Sequence, residues 1–100
     1  MERKVITSII VLTLLATAQI TLQQAFDEAL QAARDILDAR WRAKALKGIV
    51  EAIVEAGVNK SGLYLVALQA AKEIKDDYWR AYALAWVTSS MVRAGVMPSG

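Results

Sequence analysis

The chain carries one stretch of sequence twice. Residues 26–58 read FDEALQAARDILDARWRAKALKGIVEAIVEAGV and residues 64–96 read YLVALQAAKEIKDDYWRAYALAWVTSSMVRAGV, at an offset of 38. Between Ala29–Val58 and Ala67–Val96, sixteen of thirty residues are identical, and Arg34/Lys72, Asp35/Glu73, Ile49/Val87 and Ile53/Met91 are conservative pairs. A unit of this length is one supersecondary element that cannot bury its apolar faces alone, so repetition predicts stacking of like on like. Within each unit the apolar residues fall at helical spacing: Phe26, Leu30, Ala33 and Leu37, then Trp41, Ala45, Ile49 and Ile53. Each unit therefore predicts a pair of helices. The break falls at Asp38 and Asp76, whose short carboxylates can accept from the free N–H groups of the following helix and sit well against its dipole. Gly57 and Gly95 close the second helix of each unit, where a residue without Cβ takes the left-handed conformation. Thr21 with Gln24 reads as a capping box, and Ser61 as a cap for the second unit. Ala29, Ala32, Ala33, Ala43 and Ala45, with their counterparts, predict close antiparallel approach.

These residues carry a family resemblance. The pattern aromatic-x-x-A-L-x-x-A-x-x-I-x-D-x-x-x-R-A-x-A-L-x-x-I, ending in A-G, resembles the helical hairpins of tetratricopeptide-like arrays, particularly a type common in thermophiles. Phe26, Ala29, Leu30, Ala33, Ile36, Asp38, Arg42, Ala43, Ala45, Leu46, Ile49, Ala56 and Gly57 match it, as do their partners 38 residues on, with Tyr64 for Phe26 and Val87 for Ile49. The match covers about two thirds of the chain. It implies a protein that presents a surface to a peptide or protein partner, and implies interaction rather than catalysis.

Residues 1–24 differ, because no charge occurs from Val5 to Phe26 and VITSIIVLTLLATA is apolar around nearly the whole helical circumference. Three readings compete for it. A basic start, an apolar run and Ala16-Thr17-Ala18 fit a secretory signal. A membrane span is weaker, because the run falls short of the roughly 20 residues a bilayer needs. The favoured reading is a structural helix that occupies the place of a second repeat helix and caps the array. The expected fold is thus all-α: one domain over 1–100, with an apolar helix over 1–20, repeats over 21–58 and 59–96, and a tail over 97–100. About five helices would form either a compact bundle or a short α-solenoid.

The chemistry is mostly excluded. The chain holds no Cys and no His, which removes disulfides, thiol nucleophiles, imidazole bases and zinc sites built on either residue. Gly-rich phosphate loops and nucleophile elbows are absent. Glu51/Glu55 stand one turn apart without accompanying ligands, and read as a solvated face. The basic stripe of Arg40, Lys44 and Lys47 runs into those two carboxylates, which spoils it as a phosphate track. Lys47/Glu51, Asp38/Arg42 and Asp76/Arg80 have the spacing of ordinary i,i+4 pairs. No catalytic residue, cofactor, metal or small-molecule substrate is expected, and a net charge of +2 gives no reason to expect nucleic acid.

The feature left over is aromatic. Where the first repeat has Arg40, Lys44 and Gly48, the second has Tyr78, Tyr82 and Trp86, spaced to stack along one helix face. That ridge either packs within the chain or is an exposed interaction surface. Trp41 and Trp79, at one repeat phase, read as packing anchors between hairpins. The expected function is a non-catalytic, stand-alone helical scaffold, engineered from natural hairpin pieces and without biological activity. The alternative is a small tetratricopeptide-like protein-interaction module. The expected partner is a second copy, held as a homodimer by the N-terminal helix and the Tyr78/Tyr82/Trp86 ridge, and a membrane partner is disfavoured. Localisation would be cytoplasmic for an intracellular protein, or secreted if residues 1–18 act as a signal.

Overall fold

Two aspartates set the helix starts. In the computed structural model, which describes residues 22–96, Asp38 accepts from the Trp41 N–H at 3.0 Å and Asp76 from the Trp79 N–H at 2.9 Å. Each bond satisfies one of the donors that a helix N-terminus leaves unpaired. The described residues hold four helices: α1 (22–34), α2 (Ala39–Glu55), α3 (Ser61–Lys72) and α4 (Asp77–Ala94). No strand occurs among the described residues, so the fold is all-α. The expectations for residues 1–20, for Thr21 and for the tail lie outside the described residues. Among those described, no helix is long and apolar enough to cross a membrane.

Each short connection between α1 and α2, and between α3 and α4, is held by an arginine. Arg42 Nε donates to the Ile36 carbonyl at 2.8 Å. Arg80 Nη1 donates to the carbonyls of Ile74 at 3.0 Å and Lys75 at 3.2 Å. The arginines thereby satisfy connection carbonyls beyond the last turn of the preceding helix, and the i,i+4 ion pairs expected with Asp38 and Asp76 do not form. Arg80 pairs with Asp77 instead, at 2.6 Å. A half-buried carbonyl needs a protein donor, whereas a carboxylate in water does not.

The other helix ends follow the expected chemistry with one exception. Gly57 and Gly95 both sit at φ 72°. After α2, the N–H of Val58 reaches the Ile53 carbonyl and that of Gly57 reaches Val54; after α4, Val96 reaches Met91 and Gly95 reaches Val92. Both ends are thus closed by the paired 6→1 and 5→2 bonds that a left-handed glycine permits. Ser61 is the exception, since it is the first residue of α3 and not its cap. Lys60 holds the cap position without a side-chain bond, and the first turn is tightened by the Leu63 N–H on the Lys60 carbonyl. Leu37, expected on the apolar face, is 94% exposed because α1 stops three residues before it.

The core forms where α2 meets α3 and α4, which also pack on each other. Ala43, Leu46, Val50 and Ile53 make one fully buried stripe along α2. α3 contributes Tyr64, Ala67, Ala70 and Ala71, α4 contributes Ala83 and Val87, and α1 adds Leu30 and Ala33 to the same cluster. The many buried alanines allow close helix approach. Tyr64 is the largest fully buried side chain, and its hydroxyl donates to the Val58 carbonyl over a long 3.4 Å. Burial pushes the phenol's pKa up, against the opposing charge of Arg93. Ser90 is also fully buried, and its hydroxyl has no hydrogen-bond partner.

Three substitutions at these two side chains test the packing. Tyr64→Ala should cost about 3–5 kcal/mol in chemical denaturation, as large aromatic truncations in cores do. Tyr64→Phe should cost less than about 1 kcal/mol, because the bond it removes is long. Ser90→Ala should stabilise the chain by about 1 kcal/mol, read as a higher denaturation midpoint at unchanged slope, since it removes an unsatisfied hydroxyl from the core.

Candidate functional site

The helical stripe that most nearly forms a site runs along α4. Tyr78, Tyr82 and Trp86 lie on one side of it, as their spacing predicts, and Trp79 joins them. The rings follow each other, the first two pairs edge to face and the third tilted: Tyr78 to Trp79 at 4.9 Å and 89°, Trp79 to Tyr82 at 5.2 Å and 66°, Tyr82 to Trp86 at 6.5 Å and 54°. Such contacts are favourable for the ring quadrupoles. Tyr78 is 67% exposed, while Trp79, Tyr82 and Trp86 are half-buried. The ridge is therefore neither wholly internal nor wholly free. One end stands in water and the other leans on the fold.

The basic stripe of α2 runs beside it. Lys47 Nζ lies 4.3 Å from the centroid of the Trp86 ring, so a cation–π contact ties α2 to α4. Arg40 and Lys44 place their charges 5.3 and 5.4 Å from the centroid of Trp41. Trp41 itself is 57% exposed and is not the packing anchor its repeat phase predicts. Its counterpart Trp79 is half-buried and packs against the core. The difference lies in the neighbours: α4 turns its Trp79 side inward, whereas on α2 the fully buried line is Ala43, Leu46 and Val50, and only Ala45 and Ile49 of the Trp41 side are partly covered. A hollow of about 150 Å³ beside Trp86 is lined by Ala85 and Ser89. Glu51 is half-buried and Glu55 exposed, and no group of three carboxylates able to hold a metal occurs among the described residues.

Two parts of this surface escape sequence reasoning. Trp79, Tyr82 and Trp86 follow i, i+3, i+7, which is a helix stripe as good as the i,i+4 series, and that spacing was the available signal. The Lys47–Trp86 contact joins two helices and leaves no trace in local spacing.

One ion pair also joins distant parts of the chain. Arg34, at the end of α1, holds Glu73, just past α3, through two parallel bonds of 2.7 Å each. The hydrogen bond from Arg34 holds the Glu73 carboxyl below its ordinary value of 4.5, against the opposing effect of desolvation, and the same bond raises the Arg34 guanidinium. Sequence reasoning looked for pairs one helical turn apart and so passed over partners 39 residues apart.

No protein-family model, curated protein or solved structure matches the chain.

A carboxyl whose pKa is lowered on folding adds stability that is complete above its unfolded value and is lost as the pH falls through the folded one. The wild-type chain should therefore melt higher than Glu73→Gln near neutral pH, and the gap should close as the pH drops below 4.5. Thermal melts across that range check it, and a gap independent of pH would contradict it.

Proposed function

We propose that the chain is a non-catalytic interaction scaffold: a stack of two tetratricopeptide-like helical hairpins, α1–α2 and α3–α4, that offers the outer face of α2 and α4 to a protein partner. The observation that carries this reading is the combination of exposed aromatic surface with cations held over it. Trp41 and Tyr78 stand more than half exposed, and Arg40, Lys44 and Lys47 lie against the Trp41 and Trp86 rings. Tyr, Trp and Arg are the residues enriched where interfaces gain most of their energy. A partner that fits is an acidic segment with an apolar side chain. Its carboxylates would meet the three cations while its apolar group covers an indole or phenol.

The stack reading rests on the sequence repeat together with the like devices at both breaks. Asp38 and Asp76 cap, Arg42 and Arg80 tie the connection, and Gly57 and Gly95 close. An engineered scaffold without a partner would share this architecture. Ser90, a buried hydroxyl without a partner, counts against a wholly idealised sequence but not against one assembled from natural hairpins. The exposed aromatic and basic face places the interaction module first, and a homodimer through the aromatic ridge is one form it can take.

Selection of a random peptide library on the immobilised full chain tests the proposal. The expected binders are acidic, and Trp41→Ala or Tyr78→Ala should weaken them about tenfold or more while leaving the melting temperature nearly unchanged. Binding that ignores both substitutions, or no binder at all, would overturn it.

A further inference from the structure

The two ends of the described chain carry matching halves of one interface. Inside the chain, the second hairpin covers Leu30, Ala43, Leu46 and Val50, all fully buried. Their counterparts 38 residues on are Leu68, Ala81, Leu84 and Thr88, of which Ala81 is exposed and the others half-buried. Val92 on the same side of α4 is 60% exposed. This open face repeats the surface on which a hairpin of this sequence already sits. The residues that do the covering are also present twice. Ala70 and Ile74 are buried and Trp79 half-buried; at the same phase Ala32 is exposed, Ile36 half-buried and Trp41 exposed.

Charge follows the same rule. The Arg34–Glu73 ion pair spans the two hairpins at 2.7 Å. The counterpart of Arg34 is Lys72, at the open face, and the counterpart of Glu73 is Asp35, on the uncovered side of the first hairpin; both are exposed. A hairpin set down on α4 as α3–α4 sits on α2 would bring Asp35 of one chain to Lys72 of another, opposite in sign.

We propose that a second copy of this chain docks its α1–α2 hairpin, through Ala32, Ile36 and Trp41, on the Leu68/Ala81/Leu84/Thr88 face of the first, with Lys72 paired to Asp35. This rests on the stacked-hairpin reading above and names one partner for it. The contact is head to tail, so it leaves one face free at each end and adds further copies rather than closing a symmetric dimer. It is weaker than the contact within the chain. The Lys47–Trp86 pair has no equivalent in it, because the corresponding residues are Ala85 and Gly48.

The experiment is the solution mass of the full chain over a concentration series, with two variants at exposed positions. The wild-type mass should rise past that of a dimer without a plateau. Ala81→Glu and Ala32→Glu should each remain monomeric, and an equal mixture should form a complex of two chains and stop there, because each variant keeps one sound face. The mixture also separates a blocked face from a misfolded chain. A wild-type chain that stays monomeric, a dimer that saturates, or a mixture that stays monomeric because residues 1–21 hold the α1 face would each overturn the proposal. If peptide binding at Trp41 and Tyr78 survives in such a monomer, the scaffold reading stands while this one falls.

Discussion

The buried stripe Ala43, Leu46, Val50 and Ile53 is the surface on which the described structure depends. α2 alone would expose it, and α1 alone reaches only part of the cluster, through Leu30 and Ala33. Only when α3 and α4 pack on α2 does the stripe lose all contact with water. Burial of such side chains stabilises by roughly 1.5–3 kcal/mol for each Leu, Val or Ile, more than any surface pair in the molecule can supply. The ion pair of Arg34 with Glu73 and the cation of Lys47 on Trp86 then act as edge fastenings around a contact that is apolar at its centre.

The connections make that contact repeatable. Capping by an aspartate, an arginine bound back to the preceding carbonyls and a left-handed glycine together fix where α2 and α4 begin and end. These devices satisfy polar groups that would otherwise be left in poorly solvated turns. Because the same three residue types recur at an offset of 38, the two connections are fixed in the same way. Two surfaces are left outside this arrangement: an aromatic and basic face on one side, and, among the described residues, the partly exposed apolar face of α4.

Local features were legible in the sequence and environmental ones were not. Asp38, Asp76, Gly57 and Gly95 act through bonds to their own neighbours, so spacing suffices to place them. Burial is different. Leu46 and Leu84 are the same residue at the same phase, yet one is fully buried and the other only partly, because among the described residues α3 and α4 cover that side of α2 and nothing corresponding covers α4. Trp41 and Trp79 differ for the corresponding reason on the opposite side. Spacing predicted Trp41, Ala45, Ile49 and Ile53 as the inward stripe, but α2 is covered from two directions. The fully buried line therefore moves round to Ala43, Leu46 and Val50, with Ala45 and Ile49 half-buried. Of the candidate site, the aromatic residues were readable and their degree of exposure was not.

Amide hydrogen exchange on the full chain tests the central claim most directly, namely that the second hairpin buries α2. Amides from Leu46 to Ile53 should exchange only through global unfolding and be among the slowest in the molecule, while those over the exposed face of α4 near Val92 open more readily. Exchange of the α2 amides by local opening, with α4 still protected, would show that the stripe on α2 is not the surface that holds the fold together.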